Sequence, residues 1–308
     1  MKLLSKIFII LTFTTMTLLL VSSTISYGLI KTNTSDNSIK VSKHTKHLFN
    51  DFGRYQGSFY PTKSGTFFIL VIGNDYRPGV EGARADAIHL VGINTDLNKA
   101  SIINFPRDTN VQIPGHGTSK INAANAYGGS TLTAQTLEQL TGVSISYILE
   151  ANFAAFKGLI DDFGGIEVNV EKEMHDSNSG SNFSPGINKM DGGQALAFSR
   201  DRHSFPIGDL QRTKNQAKLL IAGLAQMQKT KTTIPDKFIS AVKISKHLKL
   251  TNLSLKDIFF LLQQASKVDP TNVSNIVVPW SKSNTLSPKA NDLFADFKDN
   301  AVIDSYKE

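Results

Sequence analysis

The stretch that decides the fold is 67–73, with the sequence FFILVIG. A short, continuous apolar run of this kind is typical of a β-strand that is buried on both faces. Two more strand-like runs follow at 87–94 and 100–105, and the turn-forming residues between them predict a hairpin. Strand-like and helical patterns alternate through the rest of the chain. The sequence therefore predicts an α/β fold, an α-β-α sandwich around one central mixed sheet.

Hydrophobic periodicity extends this prediction to the remaining elements. Helices are expected over 130–140, 153–163, 191–198, 210–228, 236–248 and 254–267, and strands over 147–151, 166–170 and 275–278. Gly142 is expected to end the first of these helices, and Asp191 to cap the third. The stretch 172–192 is rich in Ser, Asn and Gly and predicts a long exposed loop, in which His175 and Asp176 would be solvated.

The N-terminal region predicts a membrane anchor. Residues 7–30 form a run of 24 without a charged side chain, which is long enough to cross a bilayer core of about 30 Å as a helix. We expect 1–6 to be cytoplasmic, 7–30 to be a transmembrane signal-anchor, 31–65 to be an extracytoplasmic stalk and 66–308 to be one large domain. The protein would then be a single-pass type II protein of the cell membrane. The alternative is a cleaved signal peptide, for which 21–23 offers only a weak cleavage site.

The composition is that of a folded protein, with 40% hydrophobic residues and no cysteine among 308 residues. It excludes a disordered chain, a disulfide-stapled miniprotein, a Cys-ligated zinc module and a thiol-dependent enzyme. The net charge of +7 belongs mainly to residues 1–65, which hold 8 basic and 2 acidic residues, whereas residues 66–308 hold 25 and 24. Because nucleic-acid binding needs a clustered basic face, the near-neutral domain predicts no nucleic-acid partner.

Arginine is scarce in this chain, with 7 residues against 26 lysines, and six of the arginines lie at or near the ends of predicted elements. These six are Arg77, Arg84, Arg107, Arg200, Arg202 and Arg212. Ligands of α/β proteins usually bind at strand ends, and a planar guanidinium matches phosphate oxygens two at a time. Six converging arginines would repel one another without a polyanion between them, so they predict a phosphate-rich ligand. The alternative is that each arginine forms a surface salt bridge with a neighbouring aspartate.

Two aspartates, Asp75 and Asp86, accompany these arginines at predicted strand ends. Carboxylates beside a phosphate site would repel the ligand unless a cation lay between them. Mg²⁺ characteristically binds through one or two carboxylates together with phosphate oxygens and water, so this pair suits a magnesium site. Turn or capping chemistry is the alternative for either aspartate taken alone.

Together with the motifs around them, these arginines and aspartates resemble the LytR-CpsA-Psr phosphotransferases of bacterial cell envelopes. The matching stretches lie in order over residues about 66–228, and the predicted anchor and stalk match the family as well. They are LVIGNDYR (70–77), RADAI (84–88), INFPRDT (103–109), KINAANAYGG (120–129), GGIEV (164–168), MDGGQAL (190–196), RDR (200–202) and GDLQR (208–212).

The resemblance implies which residues form the site. It implies Asp75 and Asp86 as ligands of Mg²⁺, with Mn²⁺ as an alternative metal, and Arg107 as part of the catalytic set. The implied contacts to pyrophosphate are Arg77, Arg107, Arg200, Arg202, Arg212 and Gln216, assisted by Arg84 and Lys120. Asn215 departs from the pattern, because many members of the family have an arginine there.

The resemblance also implies the reaction. A glycopolymer phosphate, such as wall teichoic acid or a similar anionic or capsular polymer, would pass from a polyprenyl-pyrophosphate carrier to peptidoglycan, forming a phosphodiester and releasing polyprenyl phosphate. Asp209 is the candidate base, although capping of the helix after it is the favoured role. Phe153, Phe156, Leu159 and Phe163 are candidates to line a lipid tunnel, with core packing favoured. Hydrolysis of the same carrier and a non-enzymatic regulatory role are the alternatives.

Overall fold

The structure is a computed structural model that describes residues 66–76, 83–206, 208–229, 234–250 and 253–278. Its helices are α1 (Ile121–Thr141), α2 (Phe153–Asp162), α3 (Gly192–Arg200), α4 (Gly208–Lys229), α5 (Ile234–His247) and α6 (Leu255–Ala265), followed by a 3₁₀ turn at Pro270–Asn272. Its strands are β1 (Thr66–Asn74), β2 (Ala85–Asn94), β3 (Lys99–Asn104), β4 (Asn110–Ile113), β5 (Gly117–Lys120), β6 (Ile145–Asn152), β7 (Ile166–Val170), β8 (Met174–Asp176), β9 (Ser181–Phe183), β10 (Gly186–Met190), β11 (Lys249–Leu250) and β12 (Ser274–Val277).

Six strands form a central mixed sheet in the order β11-β6-β1-β2-β3-β12. The decisive apolar strand β1 lies in its interior, between the antiparallel β2 and the parallel β6. Strands β2 and β3 form the predicted hairpin, and β12 returns parallel to β3. An interior strand has neighbours on both edges, which explains why its sequence is apolar on both faces. The mixed central sheet predicted from the sequence is confirmed.

Helices cover both faces of this sheet. Side chains alternate between the faces along a strand, so Phe68 and Leu70 pack with Leu137 of α1, whereas Phe67 and Ile69 pack with residues of α4 and α6. A further apolar core joins β7 and β10 to α2, α3 and α4. Burying one Phe or Leu side chain of this kind contributes about 1.5–3 kcal/mol, so the two sheet faces supply much of the driving force for folding.

Most predicted helices agree with the structure within a few residues. Asp191 caps α3 as predicted, and its carboxylate accepts a hydrogen bond from the backbone N–H of Gln194 in a capping box. Gly142 ends α1 with a φ of 74°, a left-handed conformation that glycine adopts without strain. The helix predicted over 130–140 is the second part of α1, since Gly128 and Gly129 have non-helical backbone angles and kink the helix there. The prediction missed the first part, which begins at Ile121.

The predicted loop over 172–192 was also wrong. This stretch forms β8, β9 and β10, which pair as short antiparallel ribbons, and Met174 and Phe183 are buried beneath them. The polar composition concealed these strands because each holds a single buried apolar residue, namely Met174, Phe183 or Met190. Strands β4, β5 and β11 have two to four residues and were not predicted either.

Several predictions concern residues that the structure does not describe. The anchor at 7–30, the stalk at 31–65 and Arg77 all lie outside the described residues. Among the helices of the described part, none combines the length and the apolar character that a membrane span requires.

Candidate active site

A cavity of about 590 Å³ lies against the sheet between α2 and α4. One part of its wall is apolar and includes Phe153, Phe156, Leu159 and Phe163 of α2. Core packing was the favoured role for these four side chains, but the structure places all of them on the cavity wall, half-buried. Phe156 additionally packs against the core beneath β7 and β10. The cavity thus offers an apolar compartment whose walls belong to the fold itself.

The other part of the wall carries charge. Seven of the predicted site residues line it, namely Asp75, Asp86, Arg107, Arg200, Arg202, Arg212 and Gln216. They come from the ends of β1, β2 and β3 and from α3, α4 and the segment between these two helices. A single cavity therefore joins a cluster of guanidinium groups and carboxylates to an apolar compartment, which is the arrangement that an amphiphilic anion requires.

Asp75 and Asp86 reach the cavity from neighbouring strands. Gly73 pairs with Ala87 and the next residue, Asn74, pairs with Ala85, so the ladder passes over Asp86 in a β-bulge. Bulges re-aim side chains at sheet ends, and this one accompanies the placement of Asp86 on the cavity wall. Asp75 follows β1 and is exposed.

Arg107 follows β3 and connects the two halves of the charged cluster. Its Nη1 donates to Asp86 Oδ1 at 2.7 Å, and its Nη2 lies 3.8 Å from Asp209 Oδ1. Burial by itself would lower the pKa of this guanidinium, but the hydrogen bond to Asp86 and the neighbouring carboxylates outweigh burial and raise the pKa. Arg107 is therefore a cation in a fixed position just after the end of β3.

Asp209 is the centre of an arginine cluster. Its Oδ1 lies 3.0 Å from Arg212 Nη2, 3.3 Å from Arg202 Nε and 3.8 Å from Arg107 Nη2. The prediction that Asp209 caps the following helix was wrong, because α4 already begins at Gly208 and Asp209 lies in its first turn. One carboxylate thus faces three guanidinium groups.

The arginines retain unused hydrogen-bond donors. The buried Nε atoms of Arg107 and Arg212 have no hydrogen-bond partner in the structure. Burial lowers the pKa of Arg212, and the positive charges of Arg107 and Arg202 add to this effect against the attraction of Asp209 and Asp86. An arginine stays protonated despite such a shift, so these two donors can bind an anion.

Arg200 and Gln216 complete the charged wall. Arg200 ends α3, and its guanidinium carbon lies 5.3 Å from the centre of the Phe153 ring, a cation–π distance. Gln216 lies one turn after Arg212 on α4 and donates from Nε2 to the carbonyl oxygen of Ser199 at 3.3 Å. Both contacts join α3 to the cavity wall, so the charged cluster and the apolar wall adjoin at Phe153.

The structure does not bring every predicted residue to the cavity. Arg84 is exposed and does not line it. Lys120 precedes α1, where its Nζ pairs with Asp108 Oδ1 at 2.8 Å. The geometry therefore lends no support to an assisting role for either residue. Asn215, the departure from the family pattern, is buried on α4 and accepts a hydrogen bond from Gln211.

The residues present fit a divalent cation only with help from a ligand. The described residues contain no group of three or more His, Asp or Glu side chains that would hold a metal by themselves. Asp75 and Asp86 offer two carboxylates at the same cavity, and Mg²⁺ commonly binds two carboxylates and completes its shell with phosphate oxygens and water. The donor set therefore suits a metal that arrives with a phosphate ligand.

Two further residues at the cavity were not predicted from the sequence. His89 of β2 is buried, and its Nδ1 lies 2.6 Å from Asn104 Oδ1. Burial lowers the pKa of His89 to about 4 against the raising effect of this hydrogen bond, so the imidazole is neutral at pH 7. Asp176, expected to be solvated, is buried and also lines the cavity. His89 lies in a strand-like apolar run, and sequence periodicity does not indicate whether a polar side chain in such a run has a functional role.

The chain belongs to the LytR_cpsA_psr family, whose model matches residues 22–301. The resemblance inferred from the motifs is thereby confirmed. Among curated relatives, the polyisoprenyl-teichoic acid–peptidoglycan teichoic acid transferase TagT of Bacillus subtilis (strain 168) is 34% identical over 209 residues, which cover 65% of this chain and 63% of TagT. TagU of Bacillus cereus, which carries the same transferase name, is 33% identical over 219 residues, covering 71% of this chain and 70% of TagU.

Solved structures agree with this assignment. A crystal structure of B. subtilis TagV superposes with a TM-score of 0.66 at 25% identity, covering 80% of this chain and 98% of TagV. A structure of TagT bound to LI-WTA gives a TM-score of 0.62 at 27% identity, covering 79% of this chain and 93% of that one. The sheet and the helices on both its faces therefore represent a fold that this chain shares with these proteins.

Proposed function

We propose that this protein transfers a glycopolymer phosphate from a polyprenyl-pyrophosphate carrier to peptidoglycan, in a reaction that depends on Mg²⁺. The observation that carries this proposal is the pair of buried, unpartnered Nε donors of Arg107 and Arg212 at the charged side of an apolar cavity. A pyrophosphate would satisfy these donors, and the apolar wall would hold the polyprenyl chain. The polymer would be wall teichoic acid or a similar anionic or capsular polymer, consistent with the names of the relatives.

In this mechanism the protein positions the reactants and neutralises charge. A hydroxyl of peptidoglycan attacks the phosphorus that is linked to the sugar, a new P–O bond forms, and the bond to the second phosphate breaks. The arginine cluster stabilises the charge that moves to the leaving polyprenyl phosphate, as preorganised donors do in other phosphoryl transfers. Mg²⁺, held by Asp75 and Asp86, would supply further neutralisation of the phosphate oxygens.

The proton of the attacking hydroxyl needs an acceptor. Asp209 is our candidate, because it is the carboxylate that contacts three of the arginines expected to surround the pyrophosphate. These arginines fix its position, and the proton of the hydroxyl would move to its carboxylate as the hydroxyl attacks. Replacing Asp209 by Asn should then lower turnover more than it lowers affinity for the carrier.

The proposed substrate determines where the protein works. Residues 7–30 would anchor it in the cell membrane as a single-pass type II protein, with the stalk at 31–65 and the catalytic domain on the extracytoplasmic side, where carrier and peptidoglycan meet. A fused reporter that is active only outside the membrane tests this orientation.

A reconstituted reaction tests the activity. The full chain in detergent is incubated with a synthetic lipid-pyrophosphate glycan, peptidoglycan and Mg²⁺, and polymer bound to peptidoglycan is measured beside free sugar phosphate. Arg200→Ala and Asp75→Ala should each abolish Mg²⁺-dependent transfer. Release of sugar phosphate without transfer would identify a hydrolase, and full activity of both variants would contradict the assignment of the site.

A further inference from the structure

The segment that carries Arg200 and Arg202 is fastened to the ribbon of β8 and β9 by two buried aspartates. Asp201 stands between the two arginines in the sequence, and its relative exposure is 0%. Asp176 ends β8, and 2% of its side chain is exposed. Asp201 is buried, whereas Arg200 and Arg202 on either side of it are exposed.

Asp201 is held by hydroxyl and amide groups. Its Oδ2 accepts hydrogen bonds from Ser181 Oγ on β9 and from Ser204 Oγ, the latter at 2.7 Å, and its Oδ1 accepts from the backbone N–H of Ser204 at 3.1 Å. Ser204 Oγ in turn accepts from the backbone N–H of His175 at 2.8 Å. Within the described residues, no Lys, Arg or His side chain forms an ion pair with Asp201. Burying a carboxylate without a cationic partner costs desolvation energy. Stabilisation of the fold therefore does not by itself explain why Asp201 is buried.

Asp176 fixes the same segment from the neighbouring strand. Its Oδ2 accepts from the backbone N–H of Arg202 at 3.2 Å and lies 3.0 Å from His203 Nδ1, and its Oδ1 accepts from the backbone N–H of Asn178 at 2.9 Å. Burial would raise the pKa of this carboxyl, but the hydrogen bonds from His203 and from the two backbone amides outweigh burial and lower the pKa. Asp176 is thus a fixed anion that contacts the backbone of the Arg202 residue directly.

The consequence for the arginines is preorganisation. With the backbone of 201–204 held at three points, Arg202 Nε reaches Asp209 at 3.3 Å, and Arg200 stays on the Phe153 ring. Two flexible cations would otherwise lose side-chain and backbone entropy when an anion binds, and prior fixation removes that cost.

We infer that Asp201 and Asp176 are positioning residues, which hold Arg200 and Arg202 in the geometry that binds a pyrophosphate. This inference rests on the proposed function, since it assumes that the arginine cluster binds pyrophosphate. It adds a role for the β8–β9 ribbon, which the sequence predicted to be an exposed loop, as the platform of the arginine segment.

The experiment compares binding, local exchange and stability in the full chain purified in detergent. Binding of inorganic pyrophosphate with Mg²⁺ is measured by calorimetry for the wild type, Asp201→Ala, Asp201→Asn and Asp176→Asn. The matched control is Asp269→Ala, because Asp269 also accepts from a nearby backbone N–H and hydroxyl but caps the distant 3₁₀ turn. Hydrogen exchange at the amides of Arg202 and Ser204 reports the fastening of the segment, and thermal melts report the stability.

We expect Asp201→Ala and Asp176→Asn to weaken pyrophosphate binding about ten-fold or more at temperatures where both are folded, with faster exchange at Arg202 and Ser204. Asp201→Asn, which retains one acceptor oxygen, should lie between Asp201→Ala and the wild type. The control should bind as the wild type does. A purely structural role would lower the melting temperature and leave the dissociation constant of the folded protein unchanged, and that result would overturn the inference.

The outcomes separate the inference from the proposed function. If the wild type fails to bind pyrophosphate, the proposed function fails and the inference with it. If the wild type binds and folded variants bind equally well, only the positioning role fails. Should Asp201→Ala not fold, Asp201→Asn and Asp176→Asn decide, because both preserve the size of the side chain.

Discussion

The buried guanidinium of Arg212 should lower the free energy of unfolding of the ligand-free protein. Only 7% of its side chain is exposed, its Nε has no partner, and Arg107 and Arg202 compete with it for the same carboxylate, Asp209. Replacing a whole buried ion pair by apolar groups of similar volume is often stabilising by about 1–4 kcal/mol, whereas removing one partner costs about 3–5 kcal/mol when the other charge is left uncompensated. Because Asp209 would keep two arginine partners in Arg212→Met, we expect a gain of about 1–2 kcal/mol, within that range.

Two measurements test this prediction in buffer free of phosphate. Without ligand, Arg212→Met should melt about 2–6 °C above the wild type. With Mg²⁺ and pyrophosphate at about 100 times the dissociation constant, the wild type should gain about 2.7 kcal/mol, and the variant should gain almost nothing. The control is Arg200→Met, the same substitution at an exposed cation, which should lose ligand stabilisation without any gain in the absence of ligand. A lower melting temperature for ligand-free Arg212→Met would refute the reasoning.

Three further predictions concern the cavity, a buried histidine and a helix cap. Gly223 lines the cavity, and a Cβ there would make one ordinary contact, at 4.0 Å from Ile166 Cδ1. Gly223→Leu should therefore extend into the cavity, weaken binding of a long-chain prenyl pyrophosphate about ten-fold and leave inorganic pyrophosphate unaffected, as calorimetry would show. Burial lowers the pKa of His89 to about 4, so only the unfolded state binds a proton at this side chain as the pH falls below about 6.5. The free energy of unfolding should therefore drop by about 3 kcal/mol between pH 7 and pH 4. Urea unfolding of His89→Gln should lack this loss. Asp191→Ala removes a capping box and should lower the free energy of unfolding by about 1 kcal/mol in the same assay.

The sequence predicted the parts of the fold that bury continuous apolar surface. The 67–73 run and the two runs after it became β1, β2 and β3, because interior strands need apolar residues on both faces. The short ribbon of β8 and β9 escaped prediction because each of these three-residue strands has two buried side chains, only one of them apolar, which is too few to show a period. This omission mattered, since the ribbon holds the arginine segment.

The scarcity of arginine pointed to side chains that lie together in the structure. Arginines stood out against an abundance of lysine, and of those the structure describes, Arg107, Arg200, Arg202 and Arg212 meet at one cavity. Arg84 does not line the cavity. The scarcity of a residue type gives no information on the direction of a side chain, so it could not distinguish Arg84 from the other arginines. For Asp209 the sequence offered two roles, base and cap, and favoured the cap, because an aspartate at a helix start is usually a cap. Its contacts with guanidinium groups appear only in the three-dimensional structure.

The apolar cavity could not be predicted from hydrophobic periodicity. Phe153, Phe156, Leu159 and Phe163 recur at helical spacing and point inward, but the same spacing serves a helix that packs on a core and a helix that borders a void. The difference lies in whether facing elements supply atoms to fill the space, and here α4 contributes Gly223 to the opposite wall. Because an unfilled apolar cavity costs stability, its retention beside an arginine cluster with unsatisfied donors is best explained by a ligand that occupies both. A ligand with only a charged group would leave the void empty, and one with only an apolar chain would leave the arginines unpaired, so the two features together favour a lipid pyrophosphate.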